Sequence, residues 1–128
     1  MATNAINWFD IPVSNLERAT KFYSAILGAK FELTEALGIR MALFPTDGGE
    51  GMVVGGSLVQ GDGFVPTAQG ARVYLNAGDD LNTVLRRVEA AGGKVVQAKT
   101  GIGEKSEMGY FAYFLDTEGN KVGLHSMH

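Results

Sequence analysis

Asp10 and His125 are the two side chains whose types and settings suit proton transfer. A positioned carboxylate or imidazole can take or give a proton at a reacting atom, provided that it faces a substrate cavity. Each lies in a run that alternates apolar and polar residues. Phe9, Ile11 and Val13 alternate with Trp8, Asp10 and Pro12, and Val122 and Leu124 alternate with Lys121, Gly123 and His125. A third run behaves alike: Val73, Leu75 and Ala77 alternate with Arg72, Tyr74 and Asn76. A period of two marks half-buried strands whose neighbours point to opposite faces. If Phe9, Ile11, Val73, Leu75, Val122 and Leu124 face the helices, then Trp8, Asp10, Arg72, Tyr74, Asn76, Lys121 and His125 face a pocket. There Trp8 and Tyr74 would stack on a flat ligand and Arg72 would meet an anionic or carbonyl group, with Asn76 and Lys121 adding polar contacts. Asp10 and His125 are the catalytic candidates.

The elements that must position these residues come from a repeat of pattern at an offset of 64 residues, Trp8 to Phe31 against Arg72 to Val95. Each copy reads as a strand, a helix, then Gly-x-Lys and a further strand. Leu16, Ala19, Thr20, Tyr23 and Ile26 form one helical stripe, and Leu81, Val84, Leu85, Val88 and Ala91 form the other. Ser14 with Glu17 makes a capping-box pattern, Asp79 or Asp80 can cap the second helix, and Gly28 and Gly92 suit the left-handed position that ends each one. Three strands are expected after each helix. In the first half they are about Ala29 to Glu35, Ile39 to Phe44 and Met52 to Val59, with a turn from Pro45 to Gly51. In the second they are about Gly93 to Lys99, Gly109 to Leu115 and Lys121 to Ser126, with a loop from Thr100 to Met108. Gln60 to Gln69, where Gly61, Gly63 and Pro66 interrupt any pattern, reads as the linker. The expectation is an α+β domain over 1–128, made of a βαβββ module at 1–59, a linker at 60–69 and a second βαβββ module at 70–128, forming a curved mixed sheet around a cavity.

Composition narrows the partners. The net charge is −3 with acids and bases interspersed, which leaves no basic stripe for nucleic acid. No apolar run reaches membrane-spanning length and no basic segment precedes an apolar core at the N-terminus, so a cytoplasmic protein without membrane contact is expected. The absence of cysteine excludes disulfides, thiolate catalysis and thiolate-bound metals. A small-molecule partner is the default that remains.

Each candidate also has a structural alternative. Asp10 and Arg72 could form an ion pair at the module interface, His125 could be a hydrogen-bonded strand histidine, and Trp8 could be ordinary core. Gly55, Gly56 and Gly123 mark bulges, close backbone approaches or room for a ligand. Gly101 to Ser106 departs from a phosphate loop because Glu104 separates Gly103 from Lys105 and the segment joins strands. Glu104 and Glu107 are expected in solvent. Phe111 with Tyr113, and Tyr110 with Phe114, are expected in the core, while Asp116 and Glu118 shape a turn with Gly119 and Asn120.

The chain resembles the vicinal oxygen chelate superfamily, which includes glyoxalase I, extradiol dioxygenases, fosfomycin-resistance enzymes and bleomycin-binding proteins. The likeness rests on Ile11-Pro-Val-Ser-Asn-Leu-Glu-Arg-Ala19 with Phe22-Tyr23 and Leu27-Gly28, on Ala90-Ala-Gly-Gly-Lys94, and on Phe114-Leu-Asp-Thr-Glu-Gly-Asn120. It implies paired βαβββ modules around a cavity, often in a homodimer, and in the enzymes a divalent metal held by His and Glu. Laid over this chain, the four metal positions fall at Trp8, Gly55 (or Gly56 if the register slips), Arg72 and Gly123. Indole and guanidinium offer only donors and glycine has no side chain, so no metal and no other cofactor is expected.

The functional expectation is a metal-free member of this superfamily that holds a small apolar or aromatic molecule between its modules, as a homodimer. A metal-independent lyase or isomerase using Asp10 or His125 as acid/base is the alternative. A metal-dependent glyoxalase or dioxygenase comes third.

Overall fold

The computed structural model describes residues 5–46 and 53–128. The chain runs β1 (Trp8–Pro12), α1 (Leu16–Leu27), β2 (Glu32–Ala36), β3 (Ile39–Leu43), β4 (Gly55–Gln60), β5 (Tyr74–Asn76), α2 (Asn82–Leu85), β6 (Lys94–Gly101), β7 (Tyr110–Leu115) and β8 (Lys121–Ser126). The strands form two four-stranded mixed sheets, ordered β1-β4-β3-β2 and β5-β8-β7-β6. In each, the opening strand pairs parallel with the closing strand and the remaining pairs are antiparallel. This is the tandem βαβββ arrangement that the repeat predicts. The expected turn from Pro45 to Gly51 and the start of β4 at Met52 fall largely outside the described residues.

Helix α1 begins one residue later than its capping-box pattern suggests. Asn15 is the cap, its side-chain oxygen accepting from the Arg18 amide at 3.0 Å. The Ser14 amide, which a capping box would give to Glu17, donates instead to Glu118, as does that of Asn15, at 3.0 and 2.9 Å. Glu17 instead accepts from Arg40 on the neighbouring sheet. At the other end Gly28 takes the left-handed conformation, with φ of 61°, as its position predicts.

The second helix is shorter than its stripe. Only Asn82–Leu85 is α-helical, and bonds from Arg87 to Val84, Val88 to Leu85 and Gly92 to Glu89 continue as tighter turns. Thr83, Val84 and Val88 are β-branched and disfavour an α-helix. Asp80 accepts from the Asn82 amide at 2.9 Å, but it also holds Lys99. The apolar face is buried all the same, through Leu81, Val84, Leu85 and Val88.

Between β2 and β3 a two-residue turn places Leu37 and Gly38 at positive φ, 54° and 77°, the conformation that matches the twist of a hairpin. Sequence alternation holds through the core. Ile11, Leu58, Leu75, Ala112, Phe114, Val122 and Leu124 point toward the helices, and all join one buried cluster. The centre of that cluster is aromatic: Phe22 and Tyr23 of α1 reach Phe114 of β7, with ring centroids 5.8 and 6.2 Å apart, and Tyr23 reaches Phe44 at 5.9 Å. The first helix thus packs on strands from both halves, so neither half buries its apolar face alone.

Candidate functional site

Facing away from the helices, the two sheets expose the residues that alternation assigns to a pocket. Trp8 and Tyr74 are each 48% exposed, very different from the buried aromatics on the other face. The alternative of ordinary core packing for Trp8 therefore fails. Each ring stands on a glycine of the closing strand. Trp8 lies opposite Gly55, where an added Cβ would meet the indole at 3.0 Å, and Tyr74 lies opposite Gly123, where it would meet the phenol ring at 2.5 Å. Phe9 covers Gly56 in the same way on the helix side. These glycines make room for rings of the chain itself.

The structure gathers the site residues into two groups. In the first, the Trp8 Nε1–H donates to Asp10 Oδ1 at 3.0 Å, and Ser57 Oγ donates to the same oxygen at 2.9 Å. The Asp10 carboxylate is held by these two donors, while Arg72 donates to the carbonyls of Ala68 and Lys121 at 3.3 and 3.1 Å. The expected Asp10–Arg72 ion pair is not formed; among the described residues the ion pairs join Arg18 to Glu118, Arg40 to Glu17 and Lys99 to Asp80.

The second group centres on Tyr113, whose side chain was expected in the core. Phe114 fulfils that expectation, whereas Phe111 and Tyr113 point to the opposite face and are half-buried. The Tyr74 and Tyr113 hydroxyls are hydrogen-bonded to each other. Arg72 Cζ lies 5.4 Å from the Tyr113 ring centroid and Lys121 Nζ 4.9 Å from it, within cation–π range. The hydrogen bond to Tyr113, and then partial burial, raise the Tyr74 pKa above its ordinary value of 10.0, so Tyr74 is a neutral phenol at neutral pH. The signal for Tyr113 was present in the sequence: β7 alternates, so the residues flanking Phe114 and Ala112 had to face the pocket side.

His125 lies opposite Asn76 across β5 and β8. Its Nε2–H donates to the Met108 carbonyl at 2.9 Å, which leaves Nδ1 as the acceptor in the neutral ring. Asn76 turns partly inward on its own backbone, its Oδ1 accepting from the Gly78 amide at 3.0 Å. His125 and Asn76 line one hollow of about 560 Å³, while Asp10 and Lys121 line another of about 220 Å³. Among the described residues these two hollows place the acid–base candidates on separate walls. A third cleft, of about 520 Å³, runs between the halves, with Phe9, Phe44, Gly55 and Gly56 on one side and Tyr74 and Asn76 on the other.

The positions that would carry a metal in this fold do not fit one. Trp8 and Arg72 offer donors, and Gly55 and Gly123 have no side chain and are covered by rings. Among the described residues no three His, Asp or Glu side chains stand close enough together to hold an ion. No helix among them is long and apolar enough to cross a membrane.

Comparison with known proteins places this geometry. The family described as the Glyoxalase/Bleomycin resistance protein/Dioxygenase superfamily matches residues 5–124. A glyoxylase-like domain-containing protein of Didymella fabae is 32% identical over 120 residues, spanning 90% of this chain and 88% of that protein. Among solved structures, TnmS3, an antibiotic binding protein from Streptomyces sp. CB03234, superposes with a TM-score of 0.65 at 24% identity, over 100% of this chain and 99% of its own. The fosfomycin resistance protein FosX from Listeria monocytogenes does so with a TM-score of 0.64 at 17% identity, over 98% and 92%. At these identities the two structures speak for the fold alone. With its paired βαβββ modules and a match over nearly its whole length, the chain belongs to the Glyoxalase/Bleomycin resistance protein/Dioxygenase superfamily.

Proposed function

We propose that this protein binds a small, planar, largely apolar molecule in the cleft between its modules, without a metal ion and without turning it over. The observation that carries the reading is the Tyr74 ring seated on Gly123 at the edge of the 520 Å³ cleft. That volume suits a small organic ligand, and a half-exposed ring fixed by its own strand partner is a flat wall already in place before binding. Trp8, seated on Gly55 in the other module, is a second exposed ring held in the same way. The likeness in fold to a protein named for antibiotic binding is consistent with a holding role.

A metal-independent lyase or isomerase would use Asp10 or His125, and a mechanism that pairs them would need both at one substrate. They line different hollows, and each is already engaged by hydrogen bonds, so binding without turnover is the better-supported reading. We further assign the working unit as a homodimer, because β2 is exposed along its whole length and the aromatic walls stand half open; light scattering tests this directly.

Calorimetry with a panel of planar aromatic compounds tests the ligand class. Micromolar binding that weakens by about fivefold in Tyr74→Ala is expected, as one lost aromatic contact of ~1 kcal/mol would cause. Metal analysis of protein purified without chelator should give well under one ion per chain. A stoichiometric ion retained in the cleft would defeat the metal-free part of the reading.

A further inference from the structure

We propose that Arg72 and Lys121 form an anion-receiving subsite beside the aromatic cleft, and that the ligand is an aromatic carboxylic acid. The inference deepens the binding reading above and rests on it. Both cations stand within reach of the single Tyr113 ring, at 5.4 and 4.9 Å from its centroid. Their mutual repulsion is only partly offset by the face of one ring. Among the described residues neither is paired with a carboxylate: the acids that do form ion pairs are Glu17, Asp80 and Glu118. Asp10, which shares a hollow with Lys121, accepts from Trp8 and Ser57 instead.

The chain as a whole carries a net charge of −3, so a doubly cationic spot is a local departure from its surroundings. The Arg72 guanidinium is also oriented. Its Nη1 donates to the carbonyls of Ala68 and Lys121, and among the described residues it makes no other side-chain hydrogen bond, which leaves the rest of the donor fork for an incoming anion. A carboxylate matches that fork in two-point geometry and takes a third contact from the lysine.

The position of the subsite sets the rest of the ligand. Tyr74 lines the cleft, and its ring centroid lies 5.7 Å from that of Tyr113, with the two hydroxyls bonded. The ring that carries both cations therefore adjoins the ring at the cleft edge, and an acidic substituent directed from Tyr74 toward Tyr113 approaches them. An apolar cleft supplies affinity for the body of such a molecule, and the cations select the acid over its neutral isostere.

The test is calorimetric titration of the full-length protein with 2-naphthoate and, separately, 2-naphthamide, which keeps the ring system and loses the charge. Naphthoate should bind roughly tenfold more tightly, the factor that one charge-assisted hydrogen bond is worth, and the gap should narrow at high salt. Arg72→Gln and Lys121→Gln should each weaken naphthoate binding several-fold and naphthamide binding distinctly less. Equal affinity of the unmodified protein for both compounds overturns the anion subsite while leaving the aromatic cleft standing. Binding of neither compound overturns the subsite and the binding reading together. A naphthoate preference that survives both substitutions removes these two residues from the assignment. The comparison of the two compounds at low and high salt needs no variant, so it decides the matter even where a substitution impairs folding.

Discussion

Tyr74 lies directly across from Gly123 in the parallel β5–β8 pair, so close that a methyl group on Gly123 would stand 2.5 Å from the phenol ring. The absence of a side chain at 123 is therefore a condition for the position of the ring at 74. Gly123→Ala should push Tyr74 off the sheet, break its hydroxyl pairing with Tyr113 and cost about 1–3 kcal/mol, the usual penalty of overpacking. The same substitution in a Tyr74→Ala background should cost distinctly less, because the clash is gone. Urea denaturation of the four proteins in this cycle checks it, and equal costs in both backgrounds would show that the ring is not what Gly123 accommodates.

Trp8 is the only tryptophan, is half exposed, and stands on Gly55, a residue that lines the cleft. Its emission should be accessible to acrylamide in the free protein and become shielded when a planar ligand fills the cleft. Asp10→Asn keeps an acceptor for the indole N–H but removes the charge, and should change the emission maximum without unfolding the protein. Unaltered quenching at ligand saturation would place Trp8 outside the binding surface.

Glu118 ties the final turn to the start of α1. Burial works against its ionisation, yet the Arg18 guanidinium, the Thr117 hydroxyl and the amides of Asn15 and Ser14 outweigh it and hold the carboxyl at about 2, against an ordinary 4.5. A carboxylate whose pKa is lower folded than unfolded contributes stability that is complete above 4.5 and is lost as pH falls toward 2. Acid unfolding should therefore gain strength across that window in the native protein. Glu118→Gln should flatten this part of the profile and cost on the order of 2 kcal/mol at neutral pH, as expected for hydrogen bonds to a charged group. Thermal denaturation from neutral pH down to acid measures both effects.

Tyr23 is fully buried and donates to Asp116 Oδ2 at 2.7 Å, and Asp116 in turn receives the amides of Glu118 and Asn120. Burial first, and the Asp116 charge next, push the Tyr23 pKa well above 10.0, so the hydroxyl keeps its proton at neutral pH. Because this pKa is higher folded than unfolded, the associated stability is complete below 10.0 and declines as alkali rises past it. Tyr23→Phe should cost ~1–2 kcal/mol by leaving Asp116 short of one donor, and should leave ligand affinity unchanged. A matched loss of binding would tie this network to the cleft.

The sequence by itself determined the two modules, the identity of the buried face and the set of residues opposite it. These follow from local periodicity: a strand side chain cannot change face without shifting the register by one residue, so Ile11, Leu75 and Leu124 had to be buried and Trp8, Tyr74 and His125 had to point away. Boundaries were less legible at Asn15, which caps α1 while Glu118 of the other half takes its amide and that of Ser14, and at α2, where β-branched residues cut the helix to Asn82–Leu85. Only the tertiary structure decided which residues on the open face meet. That Gly123 faces Tyr74, that Tyr113 sits between the reach of Arg72 and Lys121, and that Asp10 and His125 line different hollows all depend on pairing between strands distant in the chain. A period of two assigns a face, whereas neighbours on that face are set by register across β5, β8 and β7, which no local pattern encodes.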